Sequence, residues 1–551
     1  STVTGVCDGG LPTSATTLSD LTLITSPFAK STDDSLFTEM PKKNVANVDL
    51  TRASLTIRKT FDVTINATTD SLGTAVDAAT NETFLPFDEE RYCLIRRVDG
   101  VTEVLTDDKF TFTNGGGTLQ INNIGSDLSS NQAATLIATL VKTNPKSKVK
   151  RKERINTLIV DKSRVAGAGI GGTTLNNGLT HGSFPFGTRV EDKKISLNTP
   201  DVIKVLGIFE STNTSDPSSP KIILSAIDGQ TGRTEDLIIG ERMEGIQSGA
   251  VALLAEKLSD SQISIVYLND NVFKTGETID FKESNVNALA NTIDEPSKNI
   301  SSNFSFNSGQ KKSIYDHAFL TRKTDADQPS KKIKVYFENA YFEAADEGDI
   351  TTANSYNGLE YDGDVQSFNG VRNTDLIDIR PRVSNYSVSE SSRSPLEFFG
   401  RTFNSSGNSA ANVLASDESI LTDFSFYLGR IDRIFLTKNG LLTVQTGTPS
   451  ENPDPPVPLD DALEIASVSL PPYLFDVSNA SLSFLKHKRY RMSDIRKLET
   501  RIRNLEYYTS LSLLETATAN LFVADADGLN KFKSGFFVDN FTTFLSQESN
   551  I

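Results

Sequence analysis

The chain has 551 residues, too many for a single core, and about three to five compact units are expected. Apolar residues make up 37 %, with 32 Phe and 13 Tyr but no Trp, which excludes disorder throughout. A net charge of −16 disfavours non-specific nucleic-acid binding, and no apolar run is long enough to span a membrane as a helix. Only Cys7 and Cys93 are present, so disulfides cannot be the basis of the fold, and both read as incidental or buried thiols. Neither a signal peptide nor an initiator Met is visible, which suggests a processed chain or a fragment of a longer one.

Residues 1–45 are rich in Thr and Ser, with Leu11, Leu18, Leu21, Leu23 and Phe28 scattered among them. No period holds, and the segment reads as an extended arm. Ordering the backbone costs roughly 1–2 kcal/mol per residue, while each buried Leu or Phe returns roughly 1.5–3 kcal/mol. The arm is therefore expected to order only against another surface, by strand addition or groove docking, with Leu18, Leu21 and Phe28 as contacts.

From Ala53 to Ile65 apolar and polar residues alternate, with Lys59 the one break, and this predicts a strand. Further strands are expected at Tyr92–Val98 and Val101–Leu105, joined by a type I′ turn at Asp99-Gly100, then at Phe110–Phe112, Leu119–Ile121 and Leu136–Val141. A β-sandwich-like domain over 46–154 follows. Its basic end, Lys146 to Arg154, reads as a solvated linker or strand edge, or else as a docking strip for an acidic neighbour or nucleic acid. Two more β-rich domains are expected at 155–300 and 301–446, with Ser248–Lys257 the only helix-like stretch between them. Five prolines between Pro449 and Pro458 predict an extended spacer, placed at 447–472.

The segment 473–551 carries the one long helix. Ser493 is the expected N-cap, with Asp494 in the first turn. Ile495, Leu498, Ile502 and Leu505 fall at a and d spacing over two heptads, giving either a paired coiled-coil seam or a helix packed on its own domain. The fold class is thus mainly β and multidomain, with an N-terminal arm and one long C-terminal helix.

Chemistry is sparse. His181, His317 and His487 lie far apart without partners at metal spacing. Gly167-Ala-Gly169-Ile-Gly171-Gly172 matches a dinucleotide fingerprint in letters, but no amphipathic helix follows it. Acidic clusters at Asp346–Asp349, Asp362–Asp364 and Asp525–Gly528 read as turns, with a calcium loop as the alternative for the third. No catalytic residue, metal or cofactor is expected.

Several stretches together resemble a known family. They include Leu175–Leu179, Gly187–Val190, Gly240-Glu241, Ser248–Ala250, Gly309-Gln310, Tyr315–His317, Asp378–Val383, Tyr427–Asp432, Arg489–Ile495, Leu505–Glu515, Phe532–Phe536 and Val538–Phe541. The chain resembles the large virion structural proteins, tail-fibre-like or baseplate, of contractile-tailed cyanophages and related marine phages, which contain a domain of unknown function. The resemblance implies a virion tail location and partners among other tail and baseplate proteins, with copies of the chain itself in a symmetric assembly. It implies no catalytic residues. The expected role is a structural connector in the baseplate or fibre-attachment region. The alternatives are a host-binding adhesin and, more distantly, a polysaccharide hydrolase with paired carboxylates.

Overall fold

The computed structural model describes residues 18–25, 34–165, 177–227, 234–360, 363–390, 392–403, 413–414, 419–474, 479–487, 489–524 and 526–528. The protein is mainly β, with one long helix near its C-terminus. It divides into two compact units, Ser1–Ser483 and Phe484–Ile551.

The alternation at 54–66 does form a strand. Ser54–Asn66 pairs antiparallel with Gln132–Thr143 along its whole inner length, and Glu82–Phe84 and Tyr92–Arg96 flank the second strand. A second sheet of Val76-Asp77, Phe110–Thr113 and Thr118–Ile121 shares its core, so Leu55, Ile57, Leu136 and Leu140 pack with Leu119 and Ile121. The break at Lys59 has a local explanation. Its ammonium reaches both carboxylate oxygens of the buried Glu82, at 2.6 and 2.7 Å.

The turn after Tyr92–Arg96 is not type I′. Only Gly100 there has positive φ, whereas that turn needs two such residues. Arg96 is instead held by Glu103 and by the Asp127 carboxylate, with Nη1 to Oδ2 at 2.8 Å, and the chain crosses in a wider loop.

The basic run enters the strand Lys150–Val160, beside Ile333–Phe342, which in turn pairs with Val202–Ser211. It forms the edge strand of this sheet, as one of the expected readings had it, and is not a free docking strip, because its cations meet carboxylates of the same chain. Lys150 lies 2.9 Å from Asp201, Lys152 reaches Glu338 at 3.1 Å and Asp364 at 2.6 Å, and Arg154 pairs with Glu283.

Ser248–Lys257 is not helical either. Val251–Ser259 is a strand of a closed six-stranded barrel formed with Lys221–Ile227, Gln262–Tyr267, Arg242–Gly245, Thr278–Phe281 and Val286–Asp294. Ile222, Leu254, Ile263, Ile265, Ile279 and Phe281 fill its interior. The barrel is inserted between two paired strands, since Ser211 before it faces Ser297 after it.

The N-terminal segment packs on its own chain. Leu18–Ile24 pairs antiparallel with Leu421–Tyr427, whose other edge takes Val45–Asp49, and Phe37–Glu39 pairs with Leu376–Asp378. For residues 18–25 and 34–45 this corrects the expectation of an arm ordered only in an assembly; the rest of the segment lies outside the described residues. The missing partner surface is a strand some 400 positions away, which supplies the backbone hydrogen bonds. Within the stretch assigned to the proline spacer, Ala462–Leu470 is a strand beside Arg430–Thr437.

The C-terminal unit contains the helix Met492–Ala519. It starts one residue before the expected cap. Asp494 accepts the Arg491 backbone N–H at 3.2 Å, so Ser493 lies inside the first turn. Glu499 and Arg503 form the expected i,i+4 pair at 2.9 Å.

Candidate interaction surface

A group of buried polar side chains lies where distant segments meet. The Arg380 guanidinium is held against Asp378, with Nη2 to Oδ2 at 2.6 Å, and its Nη1 donates to the Lys311 carbonyl at 2.9 Å. The Tyr315 hydroxyl donates to Asp378, and the guanidinium lies over the rings of Tyr315, Phe37 and Phe368 at 4.3–5.0 Å. Burial raises the Tyr315 pKa well above its ordinary value, and Asp378 adds to this, so the hydroxyl keeps its proton. Nearby, burial is the largest influence on the Lys150 ammonium and disfavours it, but Asp201, Tyr356 and Asp378 together more than offset it, leaving its pKa above the ordinary value. The adjoining His317 is also buried, its Nε2 2.8 Å from the Ser384 carbonyl. These groups are engaged with one another and with backbone, an arrangement that fixes the fold rather than presenting a reagent.

An open cavity of about 480 Å³ borders this group. Asn156, Asn339, Tyr341 and Asn385 line it together with Glu153, Glu343 and the buried Arg382. Of its two glutamates, Glu343 is engaged by Arg151 at 3.1 Å. Among the described residues, no cluster of three or more His, Cys, Asp or Glu could hold a metal ion. Asp346 and Asp349 act in turns and ion pairs: Asp346 accepts backbone N–H from Val149 and Gly348, and Asp349 pairs with Lys142 at 2.7 Å. The glycine fingerprint and Asp525 lie outside the described residues.

The clearest exposed apolar surface is the helix. It buries none of its residues. Ile495, Leu498, Ile502 and Leu505 are 48, 40, 55 and 67 % exposed, and helical geometry places all four on one face. Residues 387–549 match the family described as Domain of unknown function (DUF4815). The match takes in the whole helix and the sheet around Arg430–Thr437 but under a third of the chain. No curated protein and no solved structure matches the chain.

The remaining expected contact residues are distributed differently. Leu18 and Leu21 belong to the N-terminal strand, and Leu21 is 41 % exposed at a groove of about 570 Å³ that also holds Arg52 and Asp423. Phe28 lies outside the described residues. Pattern reading missed Tyr507, Tyr508, Leu513 and Leu514, which are exposed on the second half of the helix. The signal available was the run of large apolar side chains that continues past Leu505 off the a and d positions. It also missed Phe398 and Phe399, an exposed pair outside any alternating stretch. Among the described residues, no helix is long and apolar enough to cross a membrane.

Proposed function

We propose that the chain is a non-catalytic structural connector in the tail of a contractile-tailed phage, seated in the baseplate or fibre-attachment region and joining neighbouring virion proteins. The observation that carries this reading is a 28-residue helix that buries no side chain and bears Ile495, Leu498, Ile502 and Leu505 exposed on one face of its first half. A soluble protein does not keep such a face in water without use, and large exposed apolar patches mark interaction sites. The motif resemblance to virion structural proteins supplies the setting. Long-range strand pairing and buried ion pairs supply the rigidity that a connector needs.

The test is incorporation. Replacing Ile495, Leu498, Ile502 and Leu505 together by Ala should leave the β body folded and abolish assembly into virions, read by mass spectrometry of purified particles. Particles that carry the variant at the parent level would refute the use of this face. The cavity lined by Asn156, Asn339, Asn385 and Tyr341 favours a second reading, glycan contact by a host-binding adhesin. Purified protein that binds host cells and blocks infection would favour that reading over the connector.

A further inference from the structure

We infer that the first half of the C-terminal helix pairs with the same helix of a second copy, in parallel and in register, to form a short two-stranded coiled coil. The inference rests on the connector reading of the helix as an interaction element and names its partner.

The seam carries Ile495 and Ile502 at a positions and Leu498 and Leu505 at d positions. β-Branched residues at a with Leu at d favour two parallel strands, because each suits the packing angle at its own layer. All four are exposed and available. The flanks specify the partner. In the same frame Glu499 and Glu506 occupy e positions, and Arg501 occupies the g position between them. In a parallel pair a g residue faces the e residue five positions later on the other helix. Arg501 then meets Glu506 of the second copy, and symmetry makes the contact twice. In an antiparallel pair e faces e and g faces g, which sets Glu against Glu and Arg against Arg. The charges therefore support one orientation and oppose the other.

The remaining charges do not upset this. The g residue one heptad earlier, Asp494, is bound to the N–H of Arg491, and Glu499 is drawn to Arg503 on its own helix. The seam is short. The next a and d positions hold Thr509 and Ser512, and the apolar residues beyond Leu505 spread around the helix. Two heptads alone make a marginal coiled coil, so association should be reversible and concentration-dependent.

Sedimentation equilibrium of the full chain tests this. The apparent mass should rise with loading concentration from 60.0 kDa toward twice that value. Leu498→Gln with Leu505→Gln should hold the chain at monomer mass. Gln keeps helix propensity, and the helical signal at 222 nm should persist at the concentrations where the parent is monomeric. Arg501→Glu alone, and Glu506→Arg alone, should each weaken association about tenfold, two symmetric attractions becoming repulsions. The two charge reversals together should restore it to within about threefold of the parent, because the parallel contact is re-formed with its signs exchanged. A chain that stays monomeric throughout overturns the inference, as does association indifferent to the Gln substitutions or charge reversals that do not rescue each other. Virion content is read independently, so a monomeric chain found in particles would remove the self-pairing and leave the connector reading standing.

Discussion

Asp378 is the residue whose loss should disturb the protein most for its size. Its carboxylate accepts the Arg380 guanidinium, the Arg380 backbone N–H at 2.9 Å and the Tyr315 hydroxyl, and its side chain is 1 % exposed. Asp378→Ala leaves the Arg380 charge with no counter-ion at a site where its side chain is fully enclosed. Breaking a buried pair in this way costs roughly 3–5 kcal/mol. The Tyr315 hydroxyl loses its acceptor as well, adding about 1–3 kcal/mol if water cannot reach it. The terms share partners and will not sum, so about 4 kcal/mol is expected, a large part of the roughly 5–15 kcal/mol that holds a domain together. Tyr315→Phe removes a bond to a charged group but strands no charge, and should cost about 1.5–3 kcal/mol. The assay is urea unfolding followed by tyrosine emission, which the chain permits because it has 13 Tyr and no Trp. An Asp378→Ala protein that unfolds within about 0.5 kcal/mol of the parent would refute the view that this ion pair organises the fold.

Other expectations follow from single positions. Gly309 has φ +75°, and a Cβ there would lie 2.4 Å from the His317 carbonyl oxygen. Gly309→Ala should therefore destabilise by about 2 kcal/mol or more, and a thermal midpoint equal to the parent's would contradict this. Burial pushes the Asp316 carboxyl up, but hydrogen bonds from Arg401 and Lys311 draw it further down, below its ordinary value. Its folded pKa is thus lower than its unfolded pKa. The stabilisation it gives is complete above about pH 4 and is lost as pH falls through the folded value. Stability of the parent should drop toward that of Asp316→Asn in acid, and a parent–variant gap unchanged from pH 7 to pH 2 would count against the ion pair. The strand Leu18–Ile24 should resist limited proteolysis in the isolated protein, because its backbone is paired with Leu421–Tyr427. Rapid cleavage within it would restore the view of a free arm.

What the sequence revealed depended on the reach of the interaction. The strand at 54–66 was legible because alternation is local, but the reason for Lys59 lay in Glu82 on a neighbouring strand. The helix was legible because its period holds over two heptads, whereas Val251–Ser259 was not. Its Ala, Leu, Glu and Lys favour helix, and the barrel overrides them by burying Ala252 and Leu254 on strands. The N-terminal accounting failed for a related reason, since no local pattern announces that Leu21 will face Phe424. Of the candidate surface, the heptad residues could be read directly, but the exposure of the helix could not. Asp378–Val383 stood out as a motif, and only the fold shows that its charges are spent on holding segments together.

The insertion of the barrel also bears on how such a chain can change. Its departure and return points, Ser211 and Ser297, sit opposite each other on adjacent strands. The host sheet is therefore completed by residues on either side of the barrel, and the barrel's own register is closed on itself. A socket of this kind accepts exchange of cargo. A different self-contained module, with ends as close together, could be carried between the same two residues while the surrounding scaffold kept its pairing, provided that it also satisfied Phe209 and Tyr336, on which Ala255 and Val266 of the barrel now rest.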